Sequence, residues 1–564
     1  MAQPALLQSR HAASQLTTAV MIATAALLLA VAAVVAGAPE HAQLDQFKYM
    51  TAVDDSNIHS TTTENDVAYW RAQAQDKLFA KMQQRPITSK AKNLILFLGD
   101  GMSITTVTSA RIYHGQLDNQ SGEGSSLSFE ELPWTGLSRT YCVNKQVADS
   151  ACSSTAYLGG VKANYGTLGV TAAVTRGNCS LSNDPSNHVD TILSWAQEAG
   201  KATGLVTTTR ITHASPAGHY AHIADRDWES DYDMLTEKHK ADPSMCQDIA
   251  YQLVHNLPGK NCKVLLGGGR SRFLPNNTNT PLGEGERKDG RNLVEDWKEE
   301  KKYRGKAAYV TDRNQLLGVD IKHTDYLLGL FQKEHLLYHL EENSELQPSL
   351  EEMTETAIKM LQKEKKGFYL FVEGGRIDFA HHDNMARRAL DETNELHKAV
   401  KKALEMTSEE DTLVVVTADH SHTMMMAGYA KRGSNILGLS QKSDKDGLNY
   451  TTLSYANGPS AERNRTGPRR DVTNDDFDNP RYQYPSLVPL KSETHGGDDV
   501  AVFARGPWAH LLVGSYEQNV IPHVMAYAAR IGPMASAPSP SAAPCMTSLG
   551  GFALMAVCLL RLLQ

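Results

Sequence analysis

Asp149 and Ser150 open the run VADSACSST, whose small residues lead into a segment of helical character, TAYLGGVKA. Two chemistries suit that placement. Ser and Asp side chains cap a helix by accepting hydrogen bonds from the free amides of its first turn. Alternatively Ser150 is a nucleophile, because the same amides and the positive end of the helix dipole stabilise a phosphate carried on it. The motif alone leaves both open, since short motifs recur by chance.

Side chains able to hold a metal are scattered along the chain. Asp100 stands in LFLGDGM, His213 and Ser215 in TTTRITHASP, Glu373 in FVEGG, Asp419 and His420 in VTADHSH, and His495 in SETHGGDD. In GGRIDFAHHDN, Asp378 and His382 are spaced i and i+4, so on a helix both reach one ion from the same face. An ion pair is the competing reading of that pair taken alone. Mixed carboxylate and imidazole ligands suit zinc, and an all-oxygen set suits magnesium. The inventory is large enough for more than one metal.

These residues need elements to bring them together. Continuous apolar, β-branched runs recur: NLILFLG (93–99), TGLVTTT (203–209), KVLLGGG (263–269), GFYLFVEGG (367–375) and TLVVVTADH (412–420). Runs of that length suit strands buried on both faces of a parallel sheet. Between strands lie segments with helical spacing, such as VDTILSWAQEAGK and TETAIKMLQKEKK, so the fold class is α/β, a large mostly parallel sheet with helices on both faces. Four of the runs lead into candidate ligands. Open α/β sheets place their sites beyond the carboxyl ends of strands, which predicts one shared crevice.

The chain has 564 residues, 41% hydrophobic and 21% charged, ordinary for a globular protein with a sizeable core. A formal net charge of −8 without a long basic run argues against nucleic-acid binding. The stretch AVMIATAALLLAVAAVVAGA (19–38) follows Arg10 and His11 and ends in small residues, the layout of a secretory signal over 1–38. An uncleaved anchor is the alternative. At the other end, ASAPSPSAAPCMTS precedes the apolar LGGFALMAVCLLRLLQ, the layout of a glycosylphosphatidylinositol signal within 531–564, with lipid attachment between about 535 and 543. Both ends point to the outer cell surface.

Of seven cysteines, Cys545 and Cys558 lie in that tail, leaving Cys142, Cys152, Cys179, Cys246 and Cys262. An oxidising compartment predicts at least two pairs and one thiol left over. Asn119, Asn178, Asn276, Asn449 and Asn464 each begin an N-glycosylation sequon.

Together LFLGDGM, VADSACSSTAYLGGVKANYGTLGV, TTTRITHASPAGHYAH, FVEGGRIDFAHH, VTADHSH and ETHGGDDVAVFARGP resemble the animal alkaline phosphatases. The DSAC and YCVN variants are most similar to insect membrane-bound forms. The resemblance covers roughly 65–530, preceded by an N-terminal segment over 39–64. It implies hydrolysis of phosphate monoesters through a phosphoserine on Ser150, with broad specificity and a basic pH optimum. It implies two zinc ions, one on Asp378, His382 and His495 and the other on Asp100, Asp419 and His420, the latter binding and deprotonating Ser150, which is thus also a metal ligand. Magnesium would sit on Asp100, Ser215 and Glu373, with His213 beside it, and Arg226 would grip two phosphate oxygens. Divalent ions ~4 Å apart clamp the entering and leaving oxygens of an in-line displacement. A planar guanidinium matches phosphate better than an ammonium does.

The resemblance further implies a crown insertion over 433–494 at a homodimer interface, with Tyr429 reaching toward the partner's site. By composition alone that stretch is a disordered loop. It implies a Cys179–Cys246 disulfide; the sequence leaves the pairing of Cys142, Cys152 and Cys262 open, and a Cys142–Cys152 pair beside Ser150 would leave Cys262 free and buried. Two departures stand out. Phe379 occupies the position where animal members carry His and bacterial ones Lys, which helps bind phosphate. Gln332 and Gln347 stand where a peripheral calcium site has acids, and neutral amides bind calcium weakly, so no calcium is expected. The rival readings are a related phosphodiesterase, a sulfatase, or a cell-surface binding protein without turnover. The sulfatase C-x-P-x-R motif is missing, and the matched ligands are all present.

Overall fold

The computed structural model describes residues 64, 66–280, 283–342, 344–462 and 467–537. The signal segment, most of 39–64, Asn464, Cys545, Cys558 and the tail beyond 537 lie outside the described residues. Among the described residues no helix is long and apolar enough to cross a membrane. Val67–Gln83 is a helix whose cap, Asp66, accepts from the Ala68 amide, and it belongs to a unit ending at Gln84. The second unit, from Arg85 onward, carries the site.

Ten strands form the central sheet. They are β1 (Asn93–Gly99), β2 (Trp134–Arg139), β3 (Ala202–Arg210), β4 (Val264–Gly268) and β5 (Ala307–Val310), then β6 (Tyr326–Leu330), β7 (Phe368–Gly374), β8 (Thr412–Ala418), β9 (Val500–Arg505) and β10 (Gly514–Glu517). Their spatial order is β10-β2-β9-β8-β1-β7-β3-β4-β6-β5. Neighbours pair in parallel throughout, except that β9 runs antiparallel to both β8 and β2. The five apolar runs read from the sequence are β1, β3, β4, β7 and β8.

Burial follows the strand period of two. Leu94, Leu96 and Leu98 of β1 join one apolar cluster, and Ile95 and Phe97 join another on the opposite face. The helices that matter below are α1 (Ile104–Leu117), α2 (Ser150–Gly159), α3 (Ile192–Glu198), α4 (Leu350–Leu361), α5 (Arg376–His382), α6 (Ala386–Met406) and α7 (Val520–Ala529). Residues of α2, α3 and α7 pack in the first cluster, and residues of α1, α4 and α6 in the second. Each fully buried Leu or Phe contributes about 1.5–3 kcal/mol, which is why strands with no polar face occupy the centre.

Strands β8, β1 and β7 end level, and β3 runs slightly further in the same direction. Gly99 pairs with Ala418 on one side and Gly374 on the other, and Thr207 pairs with Glu373. The chain therefore leaves β8, β1, β7 and β3 at one edge. The stretch whose composition suits a disordered loop contains strands instead: Leu453–Gly458 pairs with Met424–Met426 and Ser486–Pro489, and Leu439–Lys442 pairs with Asn449–Thr451. Its anchors are Leu453, Tyr455 and Tyr484, all buried, which composition alone does not reveal.

Candidate active site

Asp100 follows β1 directly, and the turn after it needs glycine. Gly101 has φ +67°, and a Cβ there would meet the His422 ring at 2.3 Å. Its amide donates to Asp419 Oδ1 at 2.9 Å, tying the ends of β1 and β8 together. Ser150 is the first residue of α2, a helix buried along its whole length. The cap, however, is Asp149, whose Oδ1 accepts from the amides of Cys152 and Gly166. Both readings of the opening motif thus have a residue: Asp149 caps, and the Ser150 hydroxyl is left to face the crevice. Ser150 Oγ stands 3.5 Å from Asp100 Oδ1 and 3.3 Å from His420 Nε2.

Beyond β8, Asp419 and His420 are wholly buried. Ligand atoms of Asp100, Asp419 and His420 lie within 4.8 Å of one another, and so do those of Asp100, His213 and Glu373. Ser215 lies two residues past His213, in a short helical turn, fully buried. Helix α5 carries Asp378 and His382 on one face, as their spacing predicts. Asp378 is buried, with Oδ2 3.3 Å from His382 Nε2, and Oδ1 3.3 Å from His495 Nε2. His382 and His495 face each other at 3.2 Å through their Nε2 atoms. Each histidine is turned by its other nitrogen: His382 Nδ1 donates to the Glu493 carbonyl and His495 Nδ1 to the Ala148 carbonyl.

Arg226 bridges these parts. Nη1 donates to Asp149 Oδ2 at 3.0 Å, and Nη2 lies 3.0 Å from His213 Nε2, the acceptor in that contact. Burial and then the Arg226 cation push the His213 pKa down to about 3, so its ring is neutral. Phe379 packs between rings, its centroid 4.2 Å from His335 and 5.5 Å from His213.

The charge balance of the crevice calls for cations. Asp100, Glu373 and Asp419 are all pushed upward, first by burial; repulsion from neighbouring carboxylates adds to this, and Glu373 reaches about 7. Asp378 goes the other way: burial opposes its charge, but His382 and His422 hold it well below the usual carboxylate range. Asp100 Oδ2, Asp419 Oδ2, Glu373 Oε1, Ser215 Oγ and His213 Nδ1 are buried with no hydrogen-bond partner among the described residues. Orphaned oxygens so close together in a protein interior fit oxygen-liganded divalent cations. Asp378 with His382 and His495 is a mixed oxygen and nitrogen set of the kind zinc takes.

Several participants are not among the residues singled out from the sequence. His422 donates from Nε2 to Asp378 Oδ1 at 2.6 Å and from Nδ1 to Glu493 Oε2 at 2.6 Å. Burial opposes its charge, but Glu493 and Asp378 raise its pKa to about 10. Thr207 and Thr209 donate to Glu373 Oε2, leaving Oε1 free to face the crevice. His422 and Glu493 sit inside VTADHSH and SETHGG, two positions from named ligands, so their signal is proximity to a motif.

Two disulfides are present, Cys142–Cys152 and Cys179–Cys246, and Cys262 is free and buried. Gln332 Nε2 donates to Gln347 Oε1, and Gln347 donates on to Leu337 O and Glu342 Oε2. Tyr429 is 90% exposed. Asn119 and Asn276 are exposed; Asn178 caps the helix Cys179–Ser182, and Asn449 donates to Thr473.

Comparison with known proteins agrees with this geometry. Residues 91–531 match the family model described as alkaline phosphatase. The membrane-bound alkaline phosphatase of Bombyx mori is 47% identical over 491 residues, covering 86% of this chain and 89% of that protein. The tissue-nonspecific isozyme of Gallus gallus is 49% identical over 493 residues, 86% of this chain and 93% of that one. In fold, the chain is similar to the alkaline phosphatase of Thermus thermophilus, with a TM-score of 0.55 at 21% identity, over 80% of this chain and 93% of that one. The chain belongs to the alkaline phosphatase family and is a phosphatase enzyme.

Proposed function

We propose that the enzyme hydrolyses phosphate monoesters through a phosphoserine on Ser150, in a site that holds two zinc ions and one magnesium. The observation that carries this reading is the ring of buried, unpartnered oxygens around a helix-terminal serine. Asp378, His382 and His495 would hold one zinc, and Asp100, Asp419 and His420 the other. Asp100, Ser215 and Glu373 would hold magnesium, with His213 beside it. When bound, such ions lower the pKa of nearby hydroxyls and water and neutralise phosphoryl charge.

The chain's own residues then do the following. Ser150 Oγ forms a bond to phosphorus as the ester oxygen departs and is protonated to the alcohol. Water displaces Ser150 in a second step, releasing orthophosphate and restoring the hydroxyl. Arg226 holds two non-reacting oxygens through its planar fork, and the free amides at the start of α2 favour the anion. Asp149 aims Arg226 and caps α2 with the same carboxylate. These contacts are to the phosphoryl group, which supports broad specificity, and reliance on deprotonated oxygens supports a basic optimum.

Phe379 supplies neither a charge nor a donor, so phosphate binding at its position rests on neighbouring groups. The amides of Gln332 and Gln347 are engaged with each other and with the loop, which supports the expectation of no calcium. Exposed Tyr429 and Leu487 support a homodimer with the 433–494 insertion at its interface. The name of the Bombyx mori relative supports membrane attachment, here through a lipid near 535–543 after removal of the signal over 1–38. Among the described residues, Asn119 and Asn276 are the best-exposed acceptors for glycans.

The test is a chromogenic monoester against the corresponding diester, with parallel metal analysis. We expect monoester turnover that is abolished by chelator, and two zinc, one magnesium and no calcium per chain. Preference for the diester would favour the phosphodiesterase reading. A fully loaded enzyme without turnover would favour a binding protein.

The Cys142–Cys152 bridge closes a loop of sequence separation 10 that contains Ala148 and Asp149. These two residues orient His495 and Arg226, so the bridge stiffens both contacts. It constrains the unfolded chain by roughly 3 kcal/mol on the loop-entropy model. Replacing both cysteines by serine is expected to lower the melting temperature and to raise KM severalfold. An unchanged KM would show that the loop holds its shape unaided.

A further inference from the structure

Glu493 is a charged residue with 1% exposure that the hydrolytic scheme does not use. Every polar group it owns is engaged, and each engagement leads to the same side of the site. Its amide donates to the His382 carbonyl at 2.8 Å, and its carbonyl accepts from His382 Nδ1 at 2.6 Å. Its Oε2 accepts from His422 Nδ1, and the far nitrogen of His422 donates to Asp378 Oδ1. Its Oε1 accepts from both the amide and the hydroxyl of Thr423, at 2.7 and 2.5 Å. His495 lies two residues further on, and in the small ribbon Ser421–His422 with His495–Gly496, His422 pairs directly with His495.

We propose that Glu493 is the positioning residue for the Asp378, His382 and His495 ligand set: its carboxylate fixes Asp378 through His422, its main-chain carbonyl holds His382, and His495 follows two residues on in the ribbon that pairs with His422. The inference rests on the reading of those three residues as a zinc site. The chemistry is specific to a carboxylate. Three donors converge on its two oxygens, and a carboxamide in the same place would offer one oxygen and one amino group. Either His422 or Thr423 would then face a donor, and a buried donor without an acceptor is costly. If His422 turns away, Asp378 Oδ1 loses its partner and the carboxylate can swing about its side-chain bond. Among the described residues no hydrogen bond or ion pair joins Glu493 to the Asp100, Asp419 and His420 set or to Glu373. Partners that orient metal ligands typically change affinity by about 10- to 100-fold when removed.

The experiment is Glu493→Gln in the whole enzyme, with the zinc and magnesium held after graded chelation measured by mass spectrometry beside kcat and KM. One zinc of the two is expected to be held ~10-fold or more weakly, with the second zinc and magnesium unchanged. The chelator concentration that halves activity should drop in parallel, while Glu493→Asp should retain the zinc better than the amide does. Thr423→Val, which removes one donor to Oε1 and keeps the fold's volume, should move the same zinc in the same direction by less, and it decides the matter should the amide variant fail to fold. Retention of all ions at wild-type strength overturns the proposal. Equal weakening of all three ions also overturns it, because that is what a merely structural residue would do. A wild-type enzyme that binds no zinc would instead fail the metal reading of the site, and this inference with it.

Discussion

Ser150→Ala is expected to leave a folded, metal-loaded protein whose turnover is lower by on the order of 10⁴-fold or more, because the proposed nucleophile is gone. The fold should tolerate the change. Asp149, and not Ser150, caps α2, and alanine is the best helix former, so the shift in stability stays within about 1 kcal/mol. Substrate binding should also persist: Arg226 keeps its Asp149 and His213 contacts, and these do not involve the hydroxyl. KM should therefore change much less than kcat. A second readout separates loss of the nucleophile from loss of the site. Acid-quenching the wild type with a phosphorus-labelled monoester should leave label on the chain, and the variant should carry none. Turnover within tenfold of wild type, or label retained on the alanine variant, would rule out Ser150 as the acceptor. The reverse experiment, Asp149→Ala, should damage affinity as well, since that carboxylate serves the helix and Arg226 at once.

The parts of this site that were legible in the sequence are those where one residue type meets one simple period. Runs such as NLILFLG and TLVVVTA suit strands buried on both faces, and each ends at a carboxylate, so the convergence of Asp100, Glu373 and Asp419 follows from parallel pairing. Asp378 and His382 follow equally simply from the helix repeat. The strands toward the β10 side of the sheet were not legible. Trp134–Arg139 alternates half-buried, exposed and buried positions over only six residues, and its place beside β9 and β10 depends on pairings far along the chain. The strands within 433–494 hide in polar sequence because their core is a few aromatic and aliphatic anchors brought together by folding. His422 and Glu493 were legible only as members of motifs. Nothing in TADHSHT says that one histidine turns toward Ser150 while the other turns toward Asp378, since that choice is made by a glutamate some seventy positions later. The pairing of Asp149 with Arg226 is hidden for the same reason: charge partners across 77 positions leave no local signature.

Stripping the metals with chelator is expected to change the pH dependence of stability as well as abolish turnover. Asp100, Asp419 and Glu373 have folded-state pKa values above their ordinary ones, Glu373 near 7, so the metal-free folded chain binds more protons than the unfolded chain across the window between those values. Stability from these groups is then fully present below about pH 4 and is lost as pH rises toward and through 7. Asp378, held low by His382 and His422, has the opposite sign, as do His213 and His420, whose burial keeps them neutral, but their contribution is complete by about pH 7. His382 and His422, held up by carboxylates against burial, share the sign of the three raised acids. Bound cations take the place of those protons, so the loaded enzyme should not share the loss. Ligand linkage adds about 4 kcal/mol per ion when free ion stands near a thousand times its Kd. Calorimetric melting of loaded and chelated protein should thus give curves whose gap is small near pH 5 and widens steadily to pH 8.5. The gap should close again when zinc and magnesium are restored. A gap of constant size across that range would mean that the buried carboxylates are not what the cations stabilise, and chelation without any shift at pH 8.5 would mean that these oxygens hold no metal at all.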